Sequence, residues 1–227
     1  MEAFFRTHTY LVEHLEAPVR RVLMDQINWE DRLIGIKGTR GVGKTTFLLQ
    51  YAKEHFGATD RQCLYVNMNN LYFQGHGIAE FANYFINQGG KVLLIDQVFK
   101  HPNWSSEIRA CYDLFPQLKI VFTGSSVMRL KEENPELNGI VKSYDLRGFS
   151  FREYLNLQTE NQFKHYSLSD ILEKSEESIV TSVEKIPKAK PIRLFPRLST
   201  SWFLPFLLRE SQFLGEFIED YEHDDRG

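Results

Sequence analysis

A three-layer α/β fold around a parallel sheet is the architecture that the sequence predicts for residues 1–156. Three observations carry it. Short strand-like segments alternate with helical stretches of about 10–15 residues, the spacing of right-handed crossovers between parallel strands. One such segment, residues 92–95 (VLLI), is apolar throughout, as a strand buried on both faces must be. The first strand also runs straight into a glycine-rich turn that a helix follows. Residues 157–227 lose this rhythm and are expected to form a short, irregular C-terminal extension.

Taken in order, Leu11, Leu15, Val19, Val22 and Leu23 recur at helical spacing and predict a leading amphipathic helix that ends near Ile27. Residues 32–37 (RLIGIK) predict the first strand, 45–55 a helix stopped by Gly57, and 63–67 (CLYVN) the second strand. A helix over 78–87 is closed by Gly89 and Gly90. The third strand is 92–95, and Asn103 is placed to cap a helix over 104–114. Residues 118–122 predict a fourth strand and 140–144 a weaker fifth. Beyond them, 167–177 could form a helix. Pro187, Pro191, Pro196 and Pro205 then disfavour a continuous helix or a central strand. The apolar stretch 201–208 (SWFLPFLL) needs burial, and 216–225 is acidic.

Composition removes several classes of function. Lys plus Arg number 27 against 30 Asp plus Glu, a net charge of −3, which argues against a surface built throughout for a polyanion. Aromatic residues are 14% of the 227, enough for a sizeable core. Two cysteines, Cys63 and Cys111, cannot make a disulfide framework or a four-cysteine zinc site and read as small buried hydrophobes. No apolar run approaches the ~20 residues needed to span a bilayer. The N-terminus lacks the apolar stretch of a secretory signal, so the expected compartment is the cytoplasm, with no membrane partner.

The glycine-rich turn carries the chemistry. Gly38, Thr39, Arg40, Gly41, Val42, Gly43, Lys44 and Thr45 fit G-x-x-x-x-G-K-[ST], and Thr46 follows. Glycines let the backbone curl so that successive N–H groups face a phosphate. The helix beginning at Lys44 adds its positive dipole end. Lys44 reaches the β- and γ-phosphates, and the Thr45 hydroxyl suits Mg²⁺. Chance would supply this pattern in about one chain in a hundred of this length. The expectation is therefore a P-loop that holds the phosphates of a nucleotide together with Mg²⁺.

The third strand ends in Asp96, which delivers a second Mg²⁺ ligand to the sheet's C-terminal edge. Position 97, where hydrolytic P-loop proteins commonly place a water-activating Glu, is Gln97. An amide can still hydrogen-bond water but cannot take its proton, a loss of about 10²–10⁴-fold in rate. Either hydrolysis is naturally slow and the nucleotide acts as a switch, or Gln97 stands in place of a Glu and traps bound ATP. The fourth strand continues into Thr123, Gly124, Ser125 and Ser126, where Thr123 and Ser125 could sense the γ-phosphate and position water.

Four blocks together, 38–46 (GTRGVGKTT), 94–104 (LIDQVFKHPNW), 120–126 (IVFTGSS) and 148–155 (GFSFREYL), resemble AAA-superfamily ATPases. The likeness is to the bacterial and archaeal group with a D-E-V-H-K-x-P-N-W segment. It implies an ASCE-type sheet in which the fourth strand lies between the loop strand and the Asp96 strand. It also implies ATP–Mg²⁺ binding through Lys44, Thr45 and Asp96. The chain departs from the group at Gln97, at Phe99 where His is usual, and at Asn138-Gly139 where arginines are common. Arg129, Arg147 and Arg152 are the candidates for an arginine finger, the mark of ring-forming oligomers. The group is often longer, with a nuclease-like C-terminal region in some members; no P-D…[DE]-x-K set is present here.

Two features invite other readings. Residues 70–75 (NLYFQG) match the core of a common tag-cleavage site but follow the second strand directly and read as part of the domain. Lys185, Lys188, Lys190, Arg193 and Arg197 could contact nucleic acid or form a solvated linker. His101, ahead of Pro102-Asn103-Trp104, could approach a phosphate but is expected at the surface or in a cap. The function that follows is an AAA-type ATPase coupling nucleotide binding to an unknown protein partner. The alternatives are a non-hydrolysing switch and a nucleic-acid-linked regulatory ATPase.

Overall fold

A computed structural model of the chain describes residues 1–125 and 134–159. The chain divides into two units, residues 1–17 with 23–147, and residues 18–22 with 148–227. In the first unit the order is α1 (Glu2–Glu13), α2 (Leu23–Gln26), β1 (Leu33–Gly38), α3 (Lys44–His55), β2 (Cys63–Asn67), α4 (Ile78–Asn87), β3 (Val92–Asp96), α5 (Trp104–Leu114), β4 (Lys119–Ser125) and β5 (Lys142–Asp145). The five strands form one sheet in the order β2-β3-β4-β1-β5, and every pairing is parallel. β4 does lie between the loop strand β1 and the Asp96 strand β3.

Each central strand is buried on both faces because its alternate side chains enter different cores. Leu93 and Ile95 of β3 join Phe81 and Phe85 of α4 and Ile108 of α5. Val92 and Leu94 join Phe47, Leu48 and Tyr51 of α3. Fully burying a Phe or Leu contributes about 1.5–3 kcal/mol, so either layer stabilises the sheet strongly. Cys63 and Cys111 are free and buried in these cores, as expected. Burial raises both thiols, Cys111 to about 12. The 70–75 segment is part of the fold: the Asn70 side chain accepts from the Tyr72 amide at 3.0 Å, and Phe73 is buried.

Gly89 and Gly90 end α4 as predicted. Gly89 takes φ +86°, and the Gly90 amide donates to the Phe85 carbonyl at 3.1 Å. A Cβ at Gly90 would sit 2.4 Å from the Phe85 ring, so only glycine fits that close return.

Two expectations fail. The leading helix does not run to Ile27: α1 covers Glu2–Glu13, buries Phe5, His8 and Val12, and stops at His14. Pro18 explains the break, since its ring excludes the amide and clashes with the carbonyl four residues earlier. The apolar residues after it kept a helical phase by coincidence. Asn103 precedes α5 but does not cap it through its side chain. Its φ of +51° is left-handed, whereas a cap needs an extended backbone to turn the side chain toward the first amides.

α1 also closes an edge of the sheet. β2 is the outer strand, and the Tyr65 amide on it donates to Nδ1 of the buried His8 at 3.0 Å. That bond requires neutral imidazole, and burial lowers the His8 pKa from 6.5 to about 4. The unfolded chain therefore takes up a proton near pH 6.5 that the folded chain refuses until about pH 4, so stability falls as the pH drops through this window. Between pH 7 and pH 5 urea denaturation is expected to show a loss of about 2 kcal/mol. His8→Gln, which can still accept from the amide, should flatten the profile; an unchanged slope would refute the assignment to His8.

Candidate functional site

The loop between β1 and α3 is set by its glycines. Gly41 and Gly43 take φ of +87° and +90°, a region that side chains resist. A Cβ at Gly38 would lie 2.5 Å from the Leu146 carbonyl oxygen and 2.9 Å from Val42 Cγ2, so the loop can return only over glycine. Val42 is buried and anchors the loop in the α3-side core, while Thr39 and Arg40 are exposed and Thr46 is half-buried. The Lys44 ammonium donates to the carbonyls of Gly38 at 2.7 Å and Thr39 at 2.8 Å, which holds it against the loop. Burial pushes its pKa below the ordinary value, and the Asp96 carboxylate draws it partly back. Backbone amides, a helix start and an ammonium together make a concentrated anion site.

Parallel register brings the second half of the site to the same edge. Asn67 pairs with Asp96, and Gly38 pairs with Ser125, so the strand ends line up. Asp96 is 1% exposed. Its Oδ2 accepts from the Thr45 hydroxyl at 2.7 Å, the Tyr65 hydroxyl at 2.9 Å and Asn67 Nδ2 at 3.2 Å. Oδ1 accepts from the Thr123 hydroxyl at 2.5 Å. The expected metal pair, Thr45 and Asp96, is thus in direct contact. One hydroxyl and one carboxylate are hard oxygen donors, a set that fits Mg²⁺.

Gln97 follows in a left-handed conformation, φ +57° and ψ +46°. Its amide donates to the Thr123 hydroxyl at 2.9 Å, and its side-chain oxygen accepts from Asn69 Nδ2 at 3.0 Å. Thr123 is fully buried and commits its hydroxyl to Asp96 and Gln97. Ser125 stands half-buried at the strand end opposite Gly38.

Tyr65, Asn67 and Asn69 escaped the sequence reading. Tyr65 and Asn67 stand two apart on β2 and therefore share a face, a period-2 signal that was available; their match to Asp96 needed the β2–β3 register. His101 is buried rather than at the surface, with Nε2 3.3 Å from the His76 carbonyl oxygen and the Phe73 ring beside it. It belongs to the α4-side packing because the chain turns inward through the 3₁₀ turn Val98–Lys100. Arg147 is exposed and Arg152 half-buried, while Arg129, the basic stretch 185–197 and the helix expected over 167–177 lie outside the described residues. No helix among the described residues is long and apolar enough to cross a membrane.

No curated protein sequence matches the chain. Among solved structures, PCH-2 of C. elegans is similar at 16% identity and a TM-score of 0.37, over 70% of this chain and 43% of that one. Cdc6p of Pyrobaculum aerophilum is similar at 14% identity and a TM-score of 0.40, over 69% of this chain and 47% of that one. The chain therefore corresponds to less than half the length of either. A family model described as AAA domain matches residues 30–155, which takes in the loop, the Asp96 strand and β4. Because that match spans more than half of the sequence, the chain belongs to the AAA domain family, whose function is nucleotide binding of the ATPase type.

Proposed function

We propose that this chain binds ATP with Mg²⁺ at the 38–46 loop, hydrolyses it slowly, and couples the nucleotide's state to a protein partner in the cytoplasm. The contact between the Thr45 hydroxyl and the Asp96 carboxylate, beside an ammonium laid along a left-handed glycine loop, carries this reading. In it Lys44 and the loop amides bind the phosphates, while Thr45 and Asp96 hold Mg²⁺. Bound there, Mg²⁺ would neutralise phosphate charge as the γ-phosphoryl group departs. Thr123 serves by holding Asp96, which leaves Ser125 to meet the γ-phosphate end. Gln97 orients water without accepting its proton, the source of slow turnover. Assembly with further copies, through Arg147, Arg152 or Arg129, belongs to the same reading.

Calorimetry tests it. The full chain should bind MgATP, and Lys44→Ala should weaken binding about 30-fold or more, the equivalent of losing roughly 2 kcal/mol of charge-assisted contact. Absence of binding by the unaltered chain would sink the proposal. A second reading, a switch that does not hydrolyse, is favoured by one observation: the Gln97 side chain is already engaged by Asn69.

A further inference from the structure

We propose that Tyr65 is the positioning residue of the Asp96 carboxylate, fixing it for the cation that accompanies the nucleotide. This rests on the ATP–Mg²⁺ reading above and adds to it a residue from the outer strand.

Asp96 is almost wholly buried, yet each of its hydrogen-bond donors among the described residues is neutral: Thr45, Tyr65, Asn67 and Thr123. Neutral dipoles orient a carboxylate without cancelling its charge. A buried carboxylate held in this way keeps its attraction for a cation, whereas a direct arginine partner would have spent it. Thr45 is itself a metal-ligand candidate and Thr123 occupies the other oxygen, so the fixed orientation of Oδ2 falls to Tyr65 and Asn67.

Tyr65 is the stiffer of the two. Its ring is packed in the α3-side core, and its amide is tied to His8 on α1. Its hydroxyl donates at 2.9 Å to Oδ2 and accepts from Asn67 Nδ2 at 3.4 Å, so it sets the asparagine as well. Packing alone does not require the hydroxyl, because phenylalanine would fill the same space.

The test uses the full chain, a non-hydrolysable fluorescent ATP analogue and a Mg²⁺ titration, with Tyr65→Phe and Asn67→Ala beside the unaltered protein. The expected result is a Mg²⁺ midpoint raised about 10- to 100-fold in Tyr65→Phe, in the range that outer-shell partners of metal ligands command. Asn67→Ala should move the same way by less. Analogue affinity in EDTA should stay within about twofold, because the phosphate loop is untouched, while the unfolding temperature of Tyr65→Phe should fall by only a few degrees, the cost of one hydrogen bond to a buried carboxylate.

An unchanged midpoint overturns the proposal. Equal loss of affinity with and without Mg²⁺ also overturns it, since the hydroxyl would then serve only the packing, and so does a Tyr65→Phe chain that fails to fold. An unaltered chain without Mg²⁺-dependent affinity overturns the ATP–Mg²⁺ reading as well, and is distinguished from the others by that control alone.

Discussion

Gln97→Glu is expected to raise ATP turnover by about 10²–10⁴-fold, the span that general-base assistance contributes. Three features make the substitution clean. Glutamate has the size of glutamine, so the left-handed backbone at φ +57° is no more strained than before. The Asn69 amide that now donates to the Gln97 oxygen at 3.0 Å can donate equally to a carboxylate. The main-chain bond to Thr123 is independent of the side chain. What changes is basicity at the place where, in the proposed reaction, water loses a proton. Phosphate release under saturating MgATP measures it, with calorimetry confirming that affinity is retained. A rise of that size identifies a hydrolytic site that lacks only its base. Unchanged turnover at intact affinity identifies a nucleotide-dependent switch, and the slow-ATPase reading is then abandoned.

Much of the fold was legible because local chemistry and tertiary demand agreed. The limits of β2 (Cys63–Asn67) and α4 (Ile78–Asn87) coincide with the expectation, since an apolar run or an amphipathic face is bounded by polar and glycine residues at both ends. The phosphate loop was legible for a stronger reason: its glycines are required by backbone geometry, and that requirement is local. Failures came where phase outlived structure. At Pro18 an apolar periodicity continued across a residue that cannot sit inside a helix, and the break should have outweighed the pattern. At Asn103 the residue type was right and its backbone conformation was not, a property that no spacing reveals.

In the site, what sequence could not supply is register. Asp96 was identifiable as the end of an apolar strand, but Tyr65, Asn67 and Thr123 become its partners only when β2 and β4 are aligned on either side of β3. Likewise Asn69 meets Gln97 from a turn 28 residues away in sequence. The motif residues of the site were therefore readable and their supporting shell was not. That shell supplies three of the hydrogen bonds that hold the carboxylate, and the Tyr65→Phe titration tests the proposal that it thereby sets cation affinity.

In the second unit, Glu153→Ala is expected to cost about 3–5 kcal/mol, the penalty for removing one partner of a buried ion pair. Glu153 is 5% exposed and holds several donors at once. Its Oε1 accepts from Arg21 Nε at 3.1 Å and from the Val22 amide at 2.9 Å; its Oε2 accepts from the Ser150 amide at 2.7 Å. The Ser150 hydroxyl accepts in return from the Glu153 amide at 3.3 Å, which makes a reciprocal cap at the start of helix α6 (Phe151–Thr159). Burial alone would raise the Glu153 pKa, but the Arg21 charge and the amides of Ser150 and Val22 overcome it and hold the carboxyl below the usual range. Its contribution is accordingly present above the ordinary glutamate pKa and lost as the pH falls through the lowered value. Truncation to alanine strands the amides of Val22 and Ser150 and removes one of the partners of Arg21, so chemical denaturation at pH 7 should show the loss. Replacing both members with apolar residues, Arg21→Met with Glu153→Leu, should recover most of the charge penalty but not the two stranded amides. A single-variant cost under about 1 kcal/mol would show that the pair behaves as an exposed one and that its burial has no energetic weight.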